Sequence, residues 1–164
     1  MKMRGKLPIF GYKDTYSLCD TFDPIIYQGL KKFKEVITSG KNPMAKGTPC
    51  KVLCELFPDA KDFTSEQSEQ GHKVWLDYLD EMIYAFENKE PDISEYKFTF
   101  VEGEGHGEKT EEGFYQYNME ADNQEEYDRY KDDCKEHEER VEFGRGLFIK
   151  FYSCLIHHFI YIYN

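Results

Sequence analysis

Two sets of residues, each recurring every seven positions and offset by three, run through the C-terminal part of the chain. This 3-4 spacing is typical of a helix that packs one face along its whole length. It predicts one long helix over residues 123–160, which organises the fold. The first set is Tyr127, Cys134, Val141, Phe148 and Leu155, and the second is Tyr130, His137, Gly144, Phe151 and His158.

Two glycines, Gly144 and Gly146, interrupt this predicted helix. A glycine inside a helix costs about 1 kcal/mol relative to alanine, so it is retained where a backbone or a ligand approaches closely. A close crossing of two helices at Gly144 is the favoured interpretation.

A first helix is predicted over residues 21–40. Thr21 or Asp23 is a candidate N-cap, Pro24 suits the first turn, and Gly40 suits the end.

A second helix is predicted over residues 64–88. It opens on Thr64 and Gln67, which have the spacing of a capping box. Its expected buried stripe consists of Trp75, Leu79, Met82, Ile83 and Phe86.

Between the second and third predicted helices the pattern changes to alternation, with Phe98 and Phe100 on one side and Tyr115 and Tyr117 on the other. Such alternation around a Gly-rich segment predicts a β-hairpin over residues 96–119. The acidic, Gly-rich residues 102–108 are interpreted as its mobile tip.

The predicted fold is mostly α within an α+β class: a three-helix core with a β-hairpin inserted between helices 2 and 3. At 164 residues the chain has the size of one domain, 1–164, in which residues 1–20 form an N-terminal arm.

The formal charge of −11 comes from 32 acidic and 21 basic side chains. This charge disfavours direct nucleic-acid binding and favours basic partners. Five cysteines with loose spacing predict reduced thiols in a cytosol. Residues 147–163 are apolar but contain Lys150 and His157, so they predict a buried helix and no membrane span.

The sequence has no nucleophile elbow, zinc-protease motif, phosphate-binding loop or dinucleotide fingerprint. Glu102, Glu104, His106 and Glu108 match no known metal-loop spacing. We therefore expect a protein without catalytic residues, metal or cofactor.

Two candidate binding sites follow from the charges. The first is an acidic binding face on the charged half of the third helix. It comprises Asp128, Asp132, Asp133, Glu136 and Glu139.

The second candidate is an aromatic and basic pocket that binds a nucleotide, for example a cyclic one, through its phosphates. Its residues are Lys31, Lys32, Lys34, Trp75, Arg140 and Arg145.

Two stretches resemble a family of small uncharacterised proteins encoded by tailed bacteriophages. Residues 75–87, WLDYLDEMIYAFE, are similar to the motif W..LDKMIW.FE, and residues 140–152, RVEFGRGLFIKFY, are similar to RVQEGLELFGKYF. Residues 11–18 fit the family loosely, whereas residues 156–164 are longer and more apolar than its pattern. The resemblance implies phage origin and expression in the host bacterial cytoplasm, and it brings no catalytic residues.

The first functional hypothesis is therefore an anti-defence inhibitor that binds a host protein, a defence or nucleic-acid-processing factor, through its acidic surface. The alternatives are a sponge for a nucleotide second messenger of antiviral signalling and a structural or assembly protein of the virion. Homo-oligomerisation stays open.

Overall fold

The computed structural model of the chain describes residues 2–4, 7–9, 18–39, 48–87, 89–104 and 106–162. It is mostly helical, with a two-stranded antiparallel hairpin between its last two long helices, which confirms the predicted fold class. The elements, in chain order, are β1 (Lys2–Arg4), β2 (Leu7–Ile9), α1 (Leu18–Ser39), α2 (Cys50–Leu56), α3 (Ser65–Glu87), β3 (Phe100–Glu102), β4 (Met119–Ala121) and α4 (Gln124–Ile162).

The chain divides into two compact units. Unit 1 comprises Met1–Asn88 and Arg140–Asn164, and unit 2 comprises Lys89–Glu139. Because α4 belongs to both units, the predicted single domain over 1–164 stays a prediction.

The core of unit 1 surrounds Trp75, which is completely buried. The ring of Phe151 lies 5.3 Å from the Trp75 ring, and that of Phe33 lies 6.4 Å from it, both edge to face. This geometry is favourable for aromatic pairs and joins α1, α3 and α4 at one point. Around it are buried Leu30, Val52, Leu79, Met82, Ala85, Phe86, Leu147 and Leu155.

Helix α3 begins as the sequence predicts. The Thr64 backbone N–H donates to Gln67 Oε1 at 2.9 Å, and the Gln67 N–H donates to Thr64 Oγ1 at 3.2 Å. The capping box therefore satisfies two N–H groups that the helix itself leaves unpaired.

The predicted start of the first helix is wrong. Helix α1 begins at Leu18, so Pro24 lies inside it and not in its first turn. Asp23 does not act as a cap, because its side chain is buried and its Oδ2 accepts a hydrogen bond from Arg145 Nη2 at 2.5 Å. A buried charge pair of this kind outweighs local capping preference.

The fold also contains a helix beyond the three predicted ones. Residues 50–56 form α2, in which Val52 and Leu53 are buried, and Leu53 packs over Gly71 of α3. The predicted N-terminal arm contains the antiparallel strands β1 and β2, in which Lys2 pairs with Ile9. The burial of residues 1–20 lies outside what the structure describes, so the packing of this arm stays a prediction.

Helices α3 and α4 cross closely at Gly144. A Cβ atom added there would lie 2.3 Å from the backbone oxygen of Glu81 and 2.7 Å from Cβ of Ala85. The predicted close crossing is confirmed. Arg140 secures the same crossing with two hydrogen bonds to the Glu81 carboxylate, at 2.7 and 3.0 Å.

Gly144→Ala is expected to lower the free energy of unfolding by about 1–3 kcal/mol, because the new methyl group would collide with backbone that cannot move freely. Gly146→Ala is the matched control, since its Cβ would meet nothing within 4 Å. The control should stabilise the protein by up to ~1 kcal/mol through helix propensity. Urea unfolding, followed by circular dichroism, measures the free energy of unfolding of both variants. Similar changes in the two variants would contradict the close approach of α3 and α4 at Gly144.

Candidate functional site

Unit 2 contains a cluster of aromatic side chains that are partly buried. Phe98 lies edge to face with Tyr127 and Phe100, at 5.3 and 5.5 Å between ring centroids. Tyr96 lies 5.1 Å from Tyr130 in the same manner. These contacts pack the segment before β3 and the base of the hairpin against residues 124–139 of α4.

Hydrogen bonds close the base of this hairpin. The carboxylate of Asp122 accepts hydrogen bonds from the Thr99 backbone N–H at 2.7 Å and the Thr99 hydroxyl at 2.8 Å. These two bonds lower the pKa of Asp122, because they favour its charged form. Asn123 then caps α4, with its Oδ1 accepting from the Glu126 N–H at 3.4 Å.

The hairpin tip does not lie where it was predicted, so that part of the prediction is wrong. Gly103 N–H donates to Asn118 O at 3.0 Å and Gly107 N–H donates to Gln116 O at 2.7 Å, so these two residues bond to the opposite arm of the hairpin. The ring of His106 lies against the Tyr117 ring, and its Nδ1 lies 2.7 Å from Asn118 O.

The hairpin tip lies beyond this segment. The last bridge joins Lys109 to Tyr115, and Gly113 adopts a positive φ of 92° in the turn. Glycine adopts such a backbone conformation without strain, which explains its place there.

Four of the five predicted acidic residues form one exposed surface. Asp128, Asp132, Glu136 and Glu139 are spaced by four, four and three residues along α4, so they share a side of the helix. All four are exposed. We call these four residues the acidic face.

Nearby lysines neutralise the acidic face only weakly. Lys131 Nζ lies 3.7 Å from Asp128, and Lys135 Nζ lies 3.9 Å from Glu139. Each of these side chains is at least 55% exposed. Exposed pairs at such distances contribute about 0–1 kcal/mol, so the face keeps its negative potential.

Asp133, the fifth predicted member, has a structural role. It lies on a different side of α4, and its Oδ2 accepts a hydrogen bond from the Tyr96 hydroxyl at 2.6 Å. This bond, together with some desolvation, raises the pKa of Tyr96 to about 12.

Three of the residues predicted for the nucleotide pocket make other contacts. Trp75 has no exposed surface on which a base could stack. The Arg140 side chain binds Glu81 and lies over the Tyr84 ring, and Arg145 pairs with buried Asp23.

The lysines of that predicted pocket are also engaged. Lys34 pairs with Asp80, and Lys32 pairs with Glu35 at 2.8 Å. Lys31 donates to the Tyr27 hydroxyl at 3.2 Å. Lys31 and Lys32 remain exposed, so the nucleotide site stays a prediction for these lysines.

Exposed apolar side chains on the hairpin were not predicted as functional. Tyr117 is 77% exposed, Phe114 70%, Tyr115 63% and Met119 50%. Their alternation predicts a strand, but the sequence pattern does not reveal that one face of the strand stays uncovered.

Among the residues that the structure describes, no group of three or more His, Cys, Asp or Glu side chains is arranged to hold a metal ion. None of the helices in this part of the chain is both long enough and apolar enough to cross a membrane.

Comparison with protein-family models, with curated proteins and with solved structures gives no match. The phage-family resemblance therefore stays a prediction that rests on the two helix motifs.

The Tyr96–Asp133 bond predicts how unit 2 responds to alkaline pH. Because the folded pKa of Tyr96, about 12, lies above its ordinary value of 10.0, the fold holds this proton more tightly than the unfolded chain does. The resulting stabilisation is complete below pH 10 and is lost as the pH rises towards 12. Tyr96→Phe should therefore make thermal stability less dependent on pH between these values.

Thermal melts by circular dichroism over this pH range, with ultraviolet titration of tyrosinate, measure the effect. Tyr115→Phe is the matched control, since Tyr115 is exposed and its hydroxyl lies at the hairpin tip. An equal change of pH dependence in both variants would refute the role of the Asp133 bond.

Proposed function

We propose that this chain is a non-catalytic, phage-encoded inhibitor that binds a basic host protein through unit 2. The acidic surface would occupy a groove on the host protein that otherwise binds nucleic acid. Its place of action would be the host bacterial cytoplasm, where defence and nucleic-acid-processing factors present such grooves.

The uneven distribution of charge is the main support for this proposal. Lys89–Glu139 contains 18 of the 32 acidic side chains and 6 of the 21 basic ones, a formal charge of −12. The rest of the chain contains 14 acidic and 15 basic side chains, a formal charge of +1. A solubility effect alone gives no reason for this separation.

Local geometry supports the proposal as well. In unit 1 the basic side chains Lys34, Arg140, Arg145 and Lys150 each contact a carboxylate on another helix. In unit 2 the acidic face contacts Lys131 and Lys135 at 3.7 and 3.9 Å, and Asp128 also accepts a hydrogen bond from the neutral Gln124 side chain at 2.9 Å. A basic partner can therefore gain from these carboxylates without first breaking strong internal pairs.

Such binding would be fast and dependent on salt. Complementary charge raises association rates, and mobile ions screen this attraction over roughly 10 Å at 0.1 M salt. An inhibitor of this kind would bind wherever nucleic-acid phosphates otherwise bind, so duplex DNA or RNA should compete with it.

The test is capture of host proteins on the immobilised full-length chain. Proteins captured from bacterial lysate should be basic, should be released by salt of about 0.5 M, and should be displaced by added duplex DNA. Changing Asp128, Asp132, Glu136 and Glu139 together to Lys should abolish the capture.

A matched variant controls for total charge. Asp59, Asp62, Glu69 and Asp77 are exposed acids of unit 1, and changing them to Lys alters the net charge by the same amount. This variant should retain capture. Equal loss in both variants, capture that DNA does not affect, or strong thermal stabilisation by a nucleotide would contradict the proposed function.

A further inference from the structure

The hairpin has one face that α4 covers only at its base. Phe100 lies on that face and contacts Tyr127 of α4, with 5.6 Å between ring centroids. Phe100 pairs with Ala121, and Glu102 pairs with Met119, so these four side chains share the face. Tyr117 and Tyr115 precede Met119 at the same spacing of two residues; residues 116–118 lie outside β4, and Tyr115 forms a bridge with Lys109.

We call Tyr115, Tyr117 and Met119 the hairpin stripe. Its members are between 50% and 77% exposed, and they follow Phe100, which contacts Tyr127 but is itself 47% exposed. Burying large aromatic side chains is a main source of binding energy at interfaces, and tyrosine is enriched there. An uncovered row of this kind therefore marks an interaction surface.

Carboxylates surround the hairpin stripe. Glu102 stands directly across from Met119, and its side chain is 78% exposed. Glu104, Glu108, Glu111 and Glu112 are exposed along the rest of the hairpin arm and at its tip. Lys109, opposite Tyr115, is the one lysine or arginine between residues 98 and 128.

This combination of tyrosine and carboxylate binds cations elsewhere in the same chain. The Arg140 guanidinium lies 3.7 Å from the centroid of the Tyr84 ring while both Glu81 oxygens accept its hydrogen bonds. Arg129 lies 4.9 Å from the Tyr96 ring and donates to Glu126 at 3.1 Å. One guanidinium group can thus stack on an aromatic ring and donate hydrogen bonds to a carboxylate at the same time.

We propose that the hairpin stripe and its flanking glutamates bind an arginine-containing segment of the protein partner. This inference rests on the proposed function and names the second contact that the acidic face alone does not provide. The arginine side chains would stack on Tyr115 and Tyr117 and donate to the surrounding carboxylates. A second copy of this chain is a poor occupant, because it would bring two strongly acidic surfaces together.

Arginine and lysine distinguish this contact from simple charge attraction. Both carry one positive charge and both can lie over a ring, but the planar guanidinium stacks in parallel with the ring and donates to both carboxylate oxygens from a rigid fork, whereas the ammonium group is a compact, strongly hydrated point charge. The acidic face acts through charge, so it should bind arginine and lysine side chains equally well. The hairpin stripe should bind arginine more tightly than lysine.

The experiment titrates the intact chain into two labelled peptides, an Arg-Gly repeat and a Lys-Gly repeat of equal length, and follows fluorescence anisotropy. The Arg-Gly peptide should bind about tenfold more tightly, as two stacked guanidinium groups allow. Tyr115→Ala with Tyr117→Ala should remove this preference and leave the weaker, charge-driven binding of both peptides. Tyr115→Phe with Tyr117→Phe should retain it, because phenylalanine rings also stack with cations.

Phe114→Ala is the matched control. Phe114 is adjacent to Tyr115 in sequence and 70% exposed, but it does not share the two-residue spacing of the hairpin stripe. It should leave the preference unchanged. Melting curves of all variants should coincide with those of the natural chain, since the altered rings are exposed.

The results separate this inference from the proposed function. The double substitution Asp132→Asn and Glu136→Gln should lower the affinity for both peptides by the same factor. The preference for the Arg-Gly peptide should remain. Equal affinities for the two peptides in the natural chain, absence of binding to either, or a preference that survives loss of both tyrosine rings would overturn the hairpin contact. Capture from lysate tests the proposed function independently of these outcomes.

Discussion

The close approach of α3 and α4 at Gly144 is the contact on which the packing of unit 1 depends. Without a side chain at this position, the Glu81 carbonyl reaches a place that any Cβ atom would fill. The approach lets Phe148 pack on Phe86, at 5.0 Å between ring centroids, and Phe151 on Trp75. Because these rings form the core, Gly144 positions residues that it does not itself touch.

Helix α4 uses one heptad pattern for two different sets of contacts. Tyr127 and Tyr130 contact the aromatic residues of unit 2, whereas Phe151 and Leu155 are buried in unit 1. Residues 124–139 contain eight acidic and three basic side chains, so they contribute −5 of the formal charge of −12 of unit 2. The same helix thus serves structure through one face and, in our proposal, recognition of a basic partner through another.

Local signals predicted the elements well, and long-range contacts explain the errors. The Thr64–Gln67 capping box and the α4 periodicity depend on neighbours in the chain, so the sequence reveals them. The role of Asp23 depends on Arg145, more than a hundred residues away, and a capping preference cannot anticipate that pair. Likewise, the alternation of Tyr115 and Tyr117 predicts a strand. Whether another element covers these side chains depends on tertiary packing, which the alternation does not reveal. Asp133 was assigned to the acidic face for the same reason: its bond to Tyr96 is a tertiary contact.

The most direct test of the central claim is hydrogen exchange of the intact chain, alone and bound to a basic protein that it captures from lysate. Binding through unit 2 predicts slower exchange in the hairpin, residues 100–121, and in residues 124–139 of α4. Exchange in α1 and α3 should stay unchanged. Protection confined to helices of unit 1, with none in the hairpin or the acidic part of α4, would contradict the account.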